Sequence, residues 1–235
     1  MTIRTLPNYY PDTQDLYSVT VNGEKIKITV TKDAATVDHW IEQVYSDYKD
    51  TLDRCINRRE YSTENFIVGL DVEWKPAAFG SKYDTPPVAI LQLCVGRRCL
   101  IFQILRSEKI PKSLHRFLED DNLRFVGVGI EDVAFKLEGD FDVSVRKAVD
   151  LEDLVAENYR NKELKTLGLM GLAKVVLRSG EIEKPADVSE SNWSQRYLTQ
   201  AQIESACVDA YVSFKIGNRF RFTYGRFNGS RSVLD

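Results

Sequence analysis

The pattern of apolar and polar residues divides the chain into short β-type runs and helix-type runs. Tyr17–Val21 and Lys25–Thr31 alternate and carry β-branched residues, with Asn22-Gly23 between them. Asn-Gly between two such runs predicts a tight hairpin. Residues 1–16, with Pro7 and Pro11, read as a loosely held arm. Asp33 can cap the next segment, Ala34–Tyr48, where Val37, Trp40, Ile41, Val44 and Tyr45 recur at helical spacing. The charged stretch Asp50–Glu64, which includes Arg58 and Arg59, reads as a connector. Phe66–Pro76 (FIVGLDVEWKP) has the pattern of a buried strand that stops at a proline. A loop with Gly80 and Pro86-Pro87 follows. Val88–Val95 and Cys99–Leu105 are two more strand-like runs around the turn Gly96-Arg97-Arg98. Three strands joined in this way predict an antiparallel meander.

The second half changes character. A short helix, Lys112–Leu118, precedes a strand, Arg124–Ile130, and then a helix, Glu131–Leu137. A brief strand, Lys147–Val149, leads to a helix, Leu151–Tyr159, that starts after Asp150. Strand–helix alternation after a meander predicts an α/β fold with a mixed sheet. Active sites of such sheets gather at the carboxyl ends of the strands. Leu164–Leu177 is amphipathic, Ser179–Ser194 is polar with Pro185 and Trp193, and the last helix runs from near Thr199 to about Arg219. Its apolar stripe is Ile203, Ala206, Cys207, Ala210, Tyr211 and Phe214.

Composition narrows the class. With 235 residues, 43% of them hydrophobic, the chain can bury one substantial core, so one domain with extensions is expected. A net charge of −3 means that any nucleic-acid contact must use a local basic patch. The four cysteines, Cys55, Cys94, Cys99 and Cys207, form no CxxC pair, and with only His39 and His115 a zinc site is not expected. Scattered thiols suit a reducing compartment. There is no apolar run of about 18 residues and no apolar core near the N-terminus, so no membrane association is expected, and residence in nucleus or cytoplasm is.

Chemistry enters at Asp71 and Glu73. Residues i and i+2 of a strand share a face. Two acids side by side at the end of an apolar strand repel each other unless a cation lies between them. A divalent-metal site is one reading, and a solvated strand end is the other. Asp209 flanks the stripe of the last helix, either solvated or a third ligand opposite the pair. The terminal RFRFTYGRFNGSRSVLD interleaves Arg219, Arg221, Arg226 and Arg231 with Phe220, Phe222, Tyr224 and Phe227. It is a candidate for phosphate and base contact, or a tail whose aromatics pack locally.

VGLDVEW, FVGVGIEDVAFKL and ACVDAYVSFKIG resemble the three exonuclease motifs of the DEDD superfamily. More narrowly, Tyr17 to Asn218 resembles the Werner-syndrome-type 3′–5′ exonuclease domains, especially their small single-domain plant branch. TPPVAILQLCVGRRCLIFQIL, AVDLEDLVAE, LGLMGLAK and NWSQRYLTQAQIESACVDAY belong to that resemblance. It implies an RNase H-like five-stranded mixed sheet flanked by helices, with the N-terminal hairpin as an extension. The implied domains are 1–35 (arm and hairpin), 36–219 (exonuclease-like domain) and 220–235 (basic, aromatic tail). The implied chemistry uses two Mg²⁺ or Mn²⁺ ions held by four carboxylates, with the 3′ end of single-stranded DNA or RNA as substrate. Small relatives assemble into rings, so a homo-oligomer is open.

Carried over residue by residue, Asp71, Glu73 and Asp209 match the family's metal ligands. The second motif departs. Relatives place an aspartate after Val-Gly-Ile and two variable residues, three residues before Lys-Leu, and Val133 stands there. Asp132 comes one residue too early, about a 100° rotation on a helix. Asp132, Glu131, Asp140 or Asp142 could substitute. The family's water-positioning tyrosine lies four residues before the third-motif aspartate, where this chain has Ser205. The sister branch's histidine position holds Glu204. Two expectations follow: a weakened metal-dependent 3′–5′ exonuclease, or a non-catalytic relative that binds nucleic acid or a partner exonuclease.

Overall fold

A computed structural model describes residues 3–57, 66–74, 86–178, 182 and 188–220. Arg58, Arg59, the loop around Gly80, Pro185 and the tail from Arg221 onward lie outside these residues. Three N-terminal strands pair antiparallel: β1 (Ile3–Thr5), β2 (Gln14–Val21) and β3 (Glu24–Thr31). Asn22 and Gly23 turn β2 into β3 with φ of 48° and 79°, the pair of positive angles that a two-residue hairpin turn demands. The expected loose arm therefore contains a strand, because Ile3–Thr5 adds to the edge of β2. Asp33 caps α1 (Ala34–Asp47), its carboxylate accepting from Thr36 N at 2.7 Å. A second helix, α2 (Lys49–Asn57), occupies most of the expected connector. Its first turn hydrogen-bonds back to Tyr48 O, and Leu52 is buried.

The meander is β4 (Phe66–Trp74), β5 (Val88–Val95) and β6 (Arg98–Phe102). A 3₁₀ turn (Ile104–Arg106) takes the rest of the predicted third strand. Then come α3 (Lys112–Leu118), β7 (Leu123–Gly127), α4 (Ile130–Phe141), β8 (Ala148–Asp150) and α5 (Leu151–Tyr159). The amphipathic run splits into a 3₁₀ turn, Lys162–Thr166, and α6 (Gly168–Leu177), because the backbone turns left-handed at Gly168, φ 62°. Last comes α7 (Gln200–Arg219), started by a reciprocal cap between Thr199 and Gln202.

All eight strands lie in one sheet of order β1-β2-β3-β6-β5-β4-β7-β8. Within it, β6-β5-β4-β7-β8 is the five-stranded RNase H-like arrangement: an antiparallel meander continued by two parallel strands. The sheet exceeds the expected five strands because β3 pairs parallel to β6 and brings the hairpin into the same plane. Strands β3, β6, β4, β7 and β8 all point one way, so their carboxyl ends share one edge.

Helices cover both faces. On one, α1, α3 and α4 pack on Val68, Leu70, Leu91 and Leu93. On the other, α5, α6 and α7 pack on Ile67, Ile90, Cys94 and Ile101. Burial on both faces explains why β5 reads as continuous apolar sequence rather than alternation. The tightest contact is at Gly69, where an added Cβ would sit 2.0 Å from Ala210 O and 2.7 Å from Phe214 N. Glycine there lets α7 lie directly on β4. At the other flank of α7, Lys215 Nζ meets Glu24 Oε1 at 2.5 Å and ties the hairpin to the helix.

Two outcomes follow. Gly69→Ala should lower stability in urea unfolding by at least the roughly 1–3 kcal/mol typical of an overpacked core. Gly139→Ala, with nothing within 4 Å of the new methyl in the interior of α4, should raise it by about 0.5–1 kcal/mol. Equal effects would contradict the packing at Gly69. The second outcome concerns pH. The hydrogen bond from Lys215 holds the Glu24 carboxyl below its ordinary value despite some desolvation. A carboxyl with a depressed folded-state pKa stabilises above its unfolded pKa, and that contribution is lost as pH falls through the folded value. Glu24→Gln should therefore lower the melting temperature at neutral pH, and the difference from the parent should shrink as pH falls, which flattens the acid limb of the profile.

Candidate active site

Asp71 and Glu73 project from the last turns of β4 toward α7, on the face that Gly69 shares. Both are half-buried. Asp71 Oδ1 accepts from Val72 N at 2.8 Å. The ladder to β5 slips between Glu73 and Trp74, so regular pairing stops at Glu73. Trp74 is thereby turned partly outward, with Lys136 Nζ 5.6 Å from its ring centre. Asp209 lies on α7 beside Ala210, the residue whose carbonyl touches Gly69, and is only 4% exposed. The fold thus faces the acidic pair with Asp209 across the strand–helix contact.

The remaining motif positions do not join them. Val133 is 7% exposed and packs in the core under α4. Asp132 and Glu131 are exposed in the first turn of α4, as the one-residue offset predicts. Asp140 is engaged elsewhere: its Oδ2 accepts from Val88 N at 2.8 Å and from Lys136 Nζ at 3.0 Å. Asp142 is exposed and ends α4 in the left-handed conformation, φ 56°. Ser205 is buried, 2% exposed.

Gln92 is a residue that sequence reasoning passed over. It lies directly across the ladder from Asp71, so both side chains point to the α7 face. It is fully buried, and neither amide atom has a hydrogen-bond partner among the described residues. Glu204, on the first turns of α7, likewise has one buried carboxylate oxygen without a partner. The signal for Gln92 was a single amide inside VAILQLCV, two residues from Ile90 and Cys94 on the same face. An unpaired buried amide costs about 1–3 kcal/mol, so this spot calls for a polar partner beyond the described residues.

The donor set bears on which metal arrangement fits. Among the described residues no three His, Cys, Asp or Glu side chains stand close enough together to hold an ion. The expected pair of ions on four carboxylates therefore does not fit the side chains as they stand. One Mg²⁺-like ion would need fewer protein ligands, because such ions take one or two carboxylates and fill the rest of the shell with water and phosphate oxygen. Asp71 and Glu73 would be its protein ligands, and an ion-bound water beside Asp71 would give the Gln92 amide a partner.

The fold is an α/β domain with a mixed sheet that carries acids at its carboxyl edge. A model of the 3′–5′ exonuclease family matches residues 43–222. The chain is 37% identical over 157 residues to the mouse bifunctional 3′–5′ exonuclease/ATP-dependent helicase WRN, covering 65% of this chain and 11% of that protein. It is 35% identical over 151 residues to an Arabidopsis thaliana 3′–5′ exonuclease, covering 64% of this chain and 51% of that one. The matched region thus spans about half or less of these two relatives. A crystal structure of the EXD2 exonuclease domain soaked in Mn aligns over 88% of this chain and 99% of its own, at 22% identity and a TM-score of 0.45. The chain belongs to the 3′–5′ exonuclease family.

Val133→Asp tests the second-motif position. Without metal, a carboxylate at this buried site should cost several kcal/mol. If the side chain reaches an ion shared with Asp71, Mn²⁺ should restore much of the lost melting temperature, and the restoration should vanish with Asp71→Ala. Destabilisation that Mn²⁺ leaves unchanged would place Val133 out of reach of the acids.

Proposed function

We propose that this chain binds the 3′ end of single-stranded DNA or RNA at the carboxyl edge of the sheet and hydrolyses the terminal phosphodiester slowly, with Mg²⁺ or Mn²⁺. The observation that carries this reading is the Asp71–Glu73 pair at the end of β4, faced by the buried Asp209 on α7, in a chain of this family. A divalent ion bound there would supply Lewis acidity toward water and the scissile phosphate. The chain's part is to hold and orient. Asp71 and Glu73 provide ligating oxygens, Asp209 adds negative charge behind them, and Gln92 anchors a polar ligand beside Asp71. The closeness of α7 to β4 excludes bulk water from the inner side.

The reaction is slow because two groups are missing. With valine at 133, no fourth carboxylate helps to hold a second ion. Serine at 205 is too short to hold the attacking water where a tyrosine hydroxyl would, and a positioning group of this kind is worth about 10²–10⁴-fold. These same two residues favour a second reading, a non-catalytic relative that keeps the cleft for binding nucleic acid or a partner exonuclease.

The test uses purified protein, Mn²⁺ and a 3′-labelled single strand. Slow release of labelled mononucleotide that disappears in Asp71→Ala supports hydrolysis. Val133→Asp combined with Ser205→Tyr should raise the rate about 10²-fold or more. No product from the parent, with product from the double variant, selects the non-catalytic reading. Rapid digestion by the parent that the double variant does not improve would overturn the account of the two missing groups.

A further inference from the structure

One hollow of the described structure lies away from the carboxylates. It holds about 450 Å³ between α1 and β3 and is walled by Tyr9, Tyr10, Lys27 and His39. Two smaller hollows, of about 180 and 200 Å³, adjoin it. Thr13 lines all three, so they lie side by side around the turn before β2, and together they are called the groove. The far end of the groove reaches Gln103, Arg196 and Tyr197. Those residues lie on the sheet edge that carries the acids. β3 is three strands from β4, about 14 Å at the usual spacing of strands.

Its chemistry has two components. Tyr9, Tyr10 and Tyr197 are 90%, 68% and 70% exposed, high values for aromatic rings that could have packed inward. Lys32, Arg106, Lys109 and Arg196 stand exposed along the same course, as does Lys27. The acids there are Asp12, Asp15, Asp33 and Glu108, and Asp33 is occupied in capping α1. Segment 194–196 is held over the strand ends: Gln103 Nε2 donates to Gln195 O and Arg196 O at 3.2 and 3.3 Å, and Arg106 Nε to Ser194 O at 2.8 Å. Arg196 lies 5.2 Å from the Tyr197 ring centre, which leaves the outer face of that ring for another planar group.

We infer that this groove carries the body of a single-stranded nucleic acid, 5′ of the end held at Asp71 and Glu73, with its bases on Tyr197, Tyr10 and Tyr9 and its phosphates on Arg196, Arg106 and Lys32. Rings that accept any base and cations that follow a backbone are the two elements of sequence-independent single-strand binding. Most of the groove is built by the N-terminal hairpin and the turn before it, which precede the family match at residue 43. The groove gives the hairpin a role. The inference rests on the nucleic-acid reading above.

The test measures fluorescence anisotropy of labelled single strands of about 4 to about 16 nucleotides, in Ca²⁺ to suppress cleavage. The parent's affinity should rise steeply with length. Tyr9→Ala/Tyr10→Ala and Arg196→Ala/Tyr197→Ala alter exposed side chains only. Each pair should leave the shortest strand bound as before and weaken the longest about tenfold or more. Lys32→Ala should lower the salt slope for the longest strand by about one. A length dependence untouched by these changes would overturn the groove while sparing the cleft. Failure of the parent to bind any strand would overturn both. Sedimentation showing that the same changes dissociate a dimer, with oligonucleotide affinity unchanged, would assign the groove to a second copy and overturn its role as a strand path.

Discussion

At Gly69 the backbone of β4 comes so close to α7 that one methyl group would collide with the Ala210 carbonyl. Much of the site depends on this contact. It sets the separation between the strand that carries Asp71 and Glu73 and the helix that carries Asp209. It also runs α7 antiparallel to β4, because Gly217 meets Ile67 and Val126 further back. The first turns of α7, with Ser205 and Glu204, therefore lie over the acidic end of the strand. A larger residue at 69 would lift the helix and open the cleft from behind.

The same closeness limits what the cleft can become. Positions on the inner side of α7 and α4 are buried, so a carboxylate at 133 or a phenol at 205 must find a partner or destabilise the fold. In this chain both positions hold small or apolar residues that pack without one. The amide of Gln92 remains in the floor without a partner among the described residues, a polar group whose burial suits a water- or ion-filled cleft. In the function proposed above, the site keeps the means to hold one ion and a phosphate while lacking part of the means to activate water.

The N-terminal hairpin shows how an extension becomes part of a domain. Parallel pairing of β3 with β6 continues the sheet, and the Glu24–Lys215 pair clamps its far face to α7. This union also carries Thr31 and Lys32 to the edge where Asp71 and Glu73 lie. A groove that starts at Tyr197 and ends at Tyr9 exists only because the hairpin lies in that plane.

Much of this was written in local sequence. The alternation around Asn22-Gly23, the β4 run and the capping residues Asp33, Asp150 and Thr199 placed most elements to within a few residues, since turns and caps are local chemistry. The spacing of Asp71 and Glu73 put both on one face, and the one-residue offset of Asp132 foretold its exposure beside a buried Val133. Three things were not legible. Residues 50–57 read as a charged connector, yet they are helical because Leu52 finds a core to bury in. Gln92 looked like one polar residue in an apolar strand until its register against Asp71 was known. And the groove draws on residues from Tyr9 to Tyr197 that only the sheet brings together. Periodicity and caps are properties of neighbours in the chain, so the sequence determines them. Register, close approach and the meeting of distant side chains depend on which surfaces pack, and only the folded tertiary structure decides that.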